Sequence, residues 1–182
     1  MTMQTRAPKT GDTVATILTS KGDMKALIFT DVLGEAATNF VELAKAGLYK
    51  GAPFHRVIPN FMIQGGDFTN KNGTGGHASK GTGSKIGDEY HPELKHIRGA
   101  LSWAKTAAPR SIGSQFFIVH PQDGAGFLDH PKNGGPAEGY TVFGQLVDGF
   151  DVLDAIATTK TGRQDCPVEE ILINDIQIEV LA

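Results

Sequence analysis

Cys166 is the only cysteine in the 182 residues, so no disulfide can form within the chain and a reducing compartment is the simpler expectation. Lys and Arg never run beyond two together and the formal net charge is -3, which removes the electrostatic footprint of a nucleic-acid or anionic-membrane binder. No stretch approaches the roughly 18 consecutive apolar residues of a membrane-spanning helix. Residues 1–12 also lack the apolar core of a signal peptide, and together these absences lead to the expectation of a cytoplasmic protein. His55, His77, His91, His96, His120 and His130 are scattered without an HxxxH or CxxC spacing, so no metal site is expected. The run Asn72-Gly73-Thr74-Gly75-Gly76 is not followed by Gly-Lys-Ser/Thr and fits no GxGxxG register, which excludes a phosphate loop. Heptads, internal repeats and low-complexity tracts are also missing.

What is present fits one β-rich domain. The 40% hydrophobic content suffices for a sizeable core, and the 23 glycines lie mostly between short apolar runs, favouring strands joined by turns. Residues 1–12 read as a flexible arm and 13–182 as the domain. Residues 13–19 and 25–29 predict a hairpin around Ser20-Lys21-Gly22-Asp23. Over 36–46 the period changes to helical, with Ala37, Phe40, Val41 and Ala44 on one face and Gly47 as the stop. Residues 70–87 are too irregular for an element and predict a surface loop. Strands are expected at 99–104, 116–119 and 140–147, a second helix at 150–157, and a final strand in which Ile176, Ile178 and Val180 face the core.

The stretch most suggestive of chemistry is 54–68, Phe-His-Arg-Val-Ile-Pro-Asn-Phe-Met-Ile-Gln-Gly-Gly-Asp-Phe, in which Arg56 and Gln64 stand among large apolar side chains. Pro59-Asn60 breaks it into strand, turn and strand, and period 2 puts Met62 and Gln64 on one face. Two further stretches follow in order: Ser114-Gln115-Phe116-Phe117-Ile118 after Gly99-Ala100-Leu101-Ser102-Trp103-Ala104-Lys105, then Phe127-Leu128-Asp129 before Tyr140-Thr141-Val142-Phe143-Gly144. In this order the set resembles the cyclophilin family of peptidyl-prolyl cis/trans isomerases, over roughly residues 13 to 180.

The resemblance implies a closed eight-stranded antiparallel β-barrel with a helix over each end, substrate bound on its outer face, and cofactor-independent isomerisation of X-Pro bonds in peptides and flexible protein segments. The rotation has a barrier of about 18–20 kcal/mol because amide resonance must be broken, yet no covalent bond is cleaved. A catalyst therefore needs a donor for the proline nitrogen, a grip on the flanking backbone and an apolar pocket for the ring. The resemblance assigns Arg56 as the electrostatic catalyst, Gln64 as backbone anchor, and Phe61, Met62, Phe117 and Leu128 as the proline pocket. Ala104 and Lys105 become backbone contacts, with Phe127 and Tyr140 completing the substrate-binding set. Phe116, Val119 and Phe143 read as core, His55 as a core histidine, and Trp103 as packed near the groove.

Phe127 stands where the best-studied eukaryotic members have Trp, Tyr140 where they have His, and Lys105 replaces an Asn; the first two look like bacterial cyclophilins. The missing indole N–H implies weaker cyclosporin binding. The connection between Asp129 and Gly139 is longer than usual in the family. Lys105 and this connection motivate an alternative, a non-catalytic chaperone or scaffold module that binds proline segments. A barrel without ligand binding is the bland reading, opposed by the intact Arg56, Phe61, Met62, Gln64 and Phe117. The family is often monomeric, and a monomer is expected.

Overall fold

β-Branched and apolar residues alternate through the first hairpin, and the computed structural model, which describes residues 1–131 and 138–182, pairs β1 (Thr13–Thr19) with β2 (Gly22–Ile28) in antiparallel register. The turn is Ser20-Lys21 alone, shorter than the four residues expected. Gly22 already pairs with Thr19, at a φ of +124° that an L side chain rarely adopts, and a Cβ there would lie 2.8 Å from Val152. The Thr19 hydroxyl closes the turn, donating to the Gly22 carbonyl and accepting from the Lys21 N–H.

Helix α1 (Glu35–Lys45) buries Ala36, Ala37, Phe40, Leu43 and Ala44, with Val41 partly exposed, and Gly47 ends it at positive φ. Its N-cap, Gly34, has no side chain to offer. The carboxylate of Glu89, distant in sequence, instead accepts from the Gly34 and Ala36 N–H groups at 2.8 and 2.7 Å. Strands β3 (Ala52–Pro53), β4 (Arg56–Ile58), β5 (Met62–Gly65), β6 (Ala100–Trp103), β7 (Phe116–Val119) and β8 (Val142–Asp148) follow, then helix α2 (Phe150–Ala157) and strand β9 (Leu172–Val180). Beneath α1, Phe40 meets the rings of Tyr49, Trp103, Phe116 and Phe143 at centroid distances of 5.0 to 6.2 Å. α2 buries Val152, Leu153, Ile156 and Ala157 and packs against β2, β4 and β5. Among the described residues no helix is long and apolar enough to cross a membrane.

The strands form one curled antiparallel sheet in the order β3-β9-β1-β2-β8-β6-β7-β5-β4. The mainly β, two-helix architecture matches the expectation, but the closed eight-stranded barrel does not describe it: there are nine strands, and no ladder joins the end strands among the described residues. The reason is local. β3 is two residues long and contains Pro53, which has no N–H to give a ladder, and only Phe54 and His55 separate it from β4, so the chain itself spans the sheet's two ends.

Two other expectations change. Residues 1–12, read as a loose arm, lie against the domain. Gln4 is 2% exposed; its amide donates to the Lys95 carbonyl and the Gln145 Oε1, its oxygen accepts from the Lys95 N–H, and Arg6 grips Asp12 through both carboxylate oxygens. Val180, expected to face the core, is 65% exposed, because β9 runs on past its buried part at Ile173 and Ile176. Residues 132–137, the centre of the long connection, lie outside the described residues.

Candidate active site

The hairpin of β4 and β5 turns at Pro59-Asn60, with Asn60 at a φ of +60° and its N–H donated to His120 Nδ1. Register then decides which residues meet. Arg56 pairs with Gln64, Gln64 with Phe117 of β7, and Phe117 with Ser102 of β6, so these four form a row across one face of the sheet. Met62, two residues from Gln64, shares that face, as period 2 predicts. Val57, Ile63, Ile118 and Leu101 form the opposite row, all 0% exposed, and pack the core. One face of four short strands thus holds the fold while the other carries the candidate chemistry.

On that second face lies a cavity of about 240 Å³ lined by Arg56, Phe61, Met62, Gln64, Ala104, Lys105, Phe117, Leu128 and Tyr140. Every sequence-predicted site residue lines it except Phe127. Met62 and Phe117 are buried within it, whereas Phe61, Leu128 and Tyr140 are half-buried. Phe127 is 60% exposed on a 3-10 turn, Gly126–Leu128, with its ring 5.7 Å from Phe61, so it edges the site from outside. The Arg56 guanidinium is exposed at the rim and has no hydrogen bond or ion pair among the described residues. Lys105 differs: its ammonium sits 2.9 Å from Asp88 and 5.1 Å from the Tyr140 ring centroid. Burial alone would lower the Lys105 pKa, but the hydrogen bond and charge of Asp88 outweigh it and raise it. The extra cation read from the sequence is therefore locally balanced.

Several residues that sequence reasoning passed over set the walls. His96, 2% exposed, stacks on Phe117 with centroids 5.9 Å apart, and Tyr140 meets the same ring edge-on at 5.8 Å. His96 is held in turn by Asp129 at 2.7 Å and Ser102 at 2.9 Å. Gln115 hydrogen-bonds Gln64 and borders a neighbouring cavity of about 180 Å³ shared with Gly73, Thr74, Gly75 and Lys85. That places the 70–87 stretch, predicted as a surface loop, beside the site. The roles of His96 and Gln115 depend on residues far along the chain, Asp129 at 33 residues from His96 and Gln64 at 51 from Gln115.

Trp103, expected near the groove, points the other way. It is 0% exposed, stacked on Phe143 at 4.3 Å, with its indole N–H donated to the Ala36 carbonyl of α1. Phe116, Val119 and Phe143 are fully buried, as expected of core residues. His55 is only partly buried; its Nδ1 is enclosed without a hydrogen-bond partner among the described residues, and burial, aided by the charge of Arg56 and opposed by Asp67, lowers its pKa.

Residues 14–178 match the family model described as cyclophilin type peptidyl-prolyl cis-trans isomerase/CLD. A Streptococcus pyogenes protein, named for both phosphatase and peptidyl-prolyl cis-trans isomerase, is 43% identical over 182 residues; the match covers 90% of this chain but only 38% of that longer protein. A Staphylococcus haemolyticus protein carrying the isomerase name is 40% identical, with 88% of each chain covered. Among solved structures, a Cryptosporidium parvum cyclophilin-type isomerase superposes with a TM-score of 0.81 at 36% identity, covering 92% of this chain and 98% of its own. It has also been solved in the presence of the dipeptide Ala-Pro. The sequence match and the shared fold place this chain in the family of cyclophilin-type peptidyl-prolyl cis-trans isomerases.

Proposed function

We propose that this chain isomerises X-Pro bonds in the 240 Å³ cavity, with the proline ring on Phe61, Met62, Phe117 and Leu128 and with Arg56 as the electrostatic catalyst. The observation that carries this is the Arg56 guanidinium: a permanent cation with planar donors, unengaged among the described residues, directly across the ladder from Gln64 at the mouth of an apolar pocket. As the amide twists, the proline nitrogen regains its lone pair, and a donor aimed there stabilises the twisted state more than either planar one. Gln64 grips the flanking backbone, which must not rotate. The Ala104 N–H is engaged with the Gln115 carbonyl at 3.0 Å, so Ala104 offers a ligand its own carbonyl.

The chemistry needs no cofactor. Accelerating a relaxation of tens of seconds to milliseconds takes about 5–6 kcal/mol, within reach of one charged donor plus orientation. Substrates are proline-containing peptides and flexible protein segments, a reading supported by the Ala-Pro dipeptide used with the Cryptosporidium parvum relative. Cyclosporin binding is weak, because Phe127 has no N–H to donate.

The test is the cis-to-trans rate of a short X-Pro peptide with catalytic amounts of wild-type protein and of Arg56→Ala. Acceleration by the wild type that falls about 10²- to 10³-fold in the variant supports the assignment. A folded Arg56→Ala protein with full activity overturns it. Binding of the peptide without acceleration would favour the proline-segment chaperone or scaffold. That reading has lost one motive, since Lys105 is paired with Asp88.

A further inference from the structure

Asp67 is 0% exposed, yet it stands neither in the core nor in the cavity. Its carboxylate accepts backbone N–H bonds from Thr69, Asn70, Asn72, Gly73 and Gly75 at 2.9 to 3.1 Å, so the 69–75 loop is wrapped around one buried anion. The loop packs too closely for side chains at two of its glycines: a Cβ on Gly75 would lie 2.6 Å from Asp67 Oδ1, and one on Gly73 2.7 Å from His55 Nε2. So held, it points the Gly73 and Gly75 carbonyls at one group, the Nε2 of Gln115, which donates to them at 3.0 and 2.9 Å. Both hydrogens of that amide are then engaged, and flipping it would set an oxygen against two oxygens. Gln115 Oε1 must therefore face Gln64, and it accepts from Gln64 Nε2 at 3.2 Å.

We infer that Asp67 and Gln115 are positioning residues for the isomerase, fixing through the 69–75 loop which end of the Gln64 amide meets the substrate. With Nε2 turned to Gln115, the Gln64 Oε1 is the acceptor left for a substrate N–H. The inference rests on the reading of Gln64 as backbone anchor.

A double-mutant cycle in the full chain tests it, with kcat and KM measured on an X-Pro peptide for Gln64→Leu, Gln115→Leu and the double variant. Gln115→Leu lowers kcat/KM about 10-fold in the wild-type background and has no further effect once Gln64 is Leu. A merely structural role would reduce activity equally in both backgrounds, and that result overturns the relay while leaving the anchor standing. Gln64→Leu with undiminished kcat/KM overturns the anchor reading, and the relay with it. Asp67→Asn repeats the test one step further back and carries the same non-additivity with Gln64→Leu. Should Asp67→Asn fail to fold, the Gln115 cycle alone decides.

Discussion

At Arg56 charge and shape can be separated. Lys keeps the charge but replaces a planar fork of donors with a single mobile ammonium. Arg56→Lys is expected to retain part of the acceleration and lose about 10- to 100-fold in kcat/KM, between wild type and Arg56→Ala, as read in the peptide assay. An Arg56→Lys protein no better than Arg56→Ala would show that charge alone contributes nothing. Phe127 poses a different question. Its ring lies outside the cavity against Phe61, so Phe127→Trp adds an N–H donor at the edge without filling the pocket. Calorimetric titration with cyclosporin should show affinity about 5- to 10-fold higher, the worth of one hydrogen bond. Arg56 and the apolar lining could be named from the sequence because the family resemblance assigns them, while period 2 about the Pro59-Asn60 turn places only Met62 and Gln64 on one face. His96, Gln115 and Asp67 could not be, because a buried polar side chain takes its role from partners that only the tertiary fold supplies.

At the scale of elements, two carboxylates hold backbone that has no regular partner. Burial alone would raise the Asp67 carboxyl, but the N–H groups of Asn70, Gly75, Asn72 and Gly73 outweigh it and hold it at about 2. A carboxyl whose folded pKa lies below its unfolded value near 3.8 stabilises the fold above that value, and the contribution is lost as pH falls through about 2. Denaturant melts between pH 5 and pH 2 should therefore lose on the order of 2 kcal/mol at this one site, and Asp67→Asn should flatten that part of the curve. Glu89 does comparable work for α1 from 53 residues away. Glu89→Ala should cost about 1–2 kcal/mol in urea unfolding, as for a lost N-cap. Elements with a strong apolar period, β7 and α2, occupy the residues the sequence predicts, 116–119 and 150–157. The boundaries that moved lie where geometry beats pattern: the hairpin turn shortened by Gly22, and β9, which starts at Leu172 because its early residues pair with β3.

For the whole molecule, the first residues belong to the domain's packing although their composition reads as a tail. Gln4 inserts a buried amide between Lys95 and Gln145, and Met3 packs on the core. Removing residues 1–9 should lower stability by about 2–4 kcal/mol, since it leaves buried partners without hydrogen bonds, while turnover persists in the cavity, whose lining includes none of these residues. An unchanged urea midpoint would show instead that the arm is dispensable. Sequence pattern could not reveal this, because a polar residue becomes buried only when its partners, here 91 and 141 positions away, are already in place. Sequence order and sheet order diverge again at β9, which lies between β3 and β1. During synthesis β1 emerges first and waits with one edge unpaired until residues 172–180 have left the ribosome. The β9–β1 seam closes last, so a chain stalled a dozen residues before its end holds every side chain of the candidate site and the strands that carry it, yet leaves β1 with an open edge and β3 with no strand to pair.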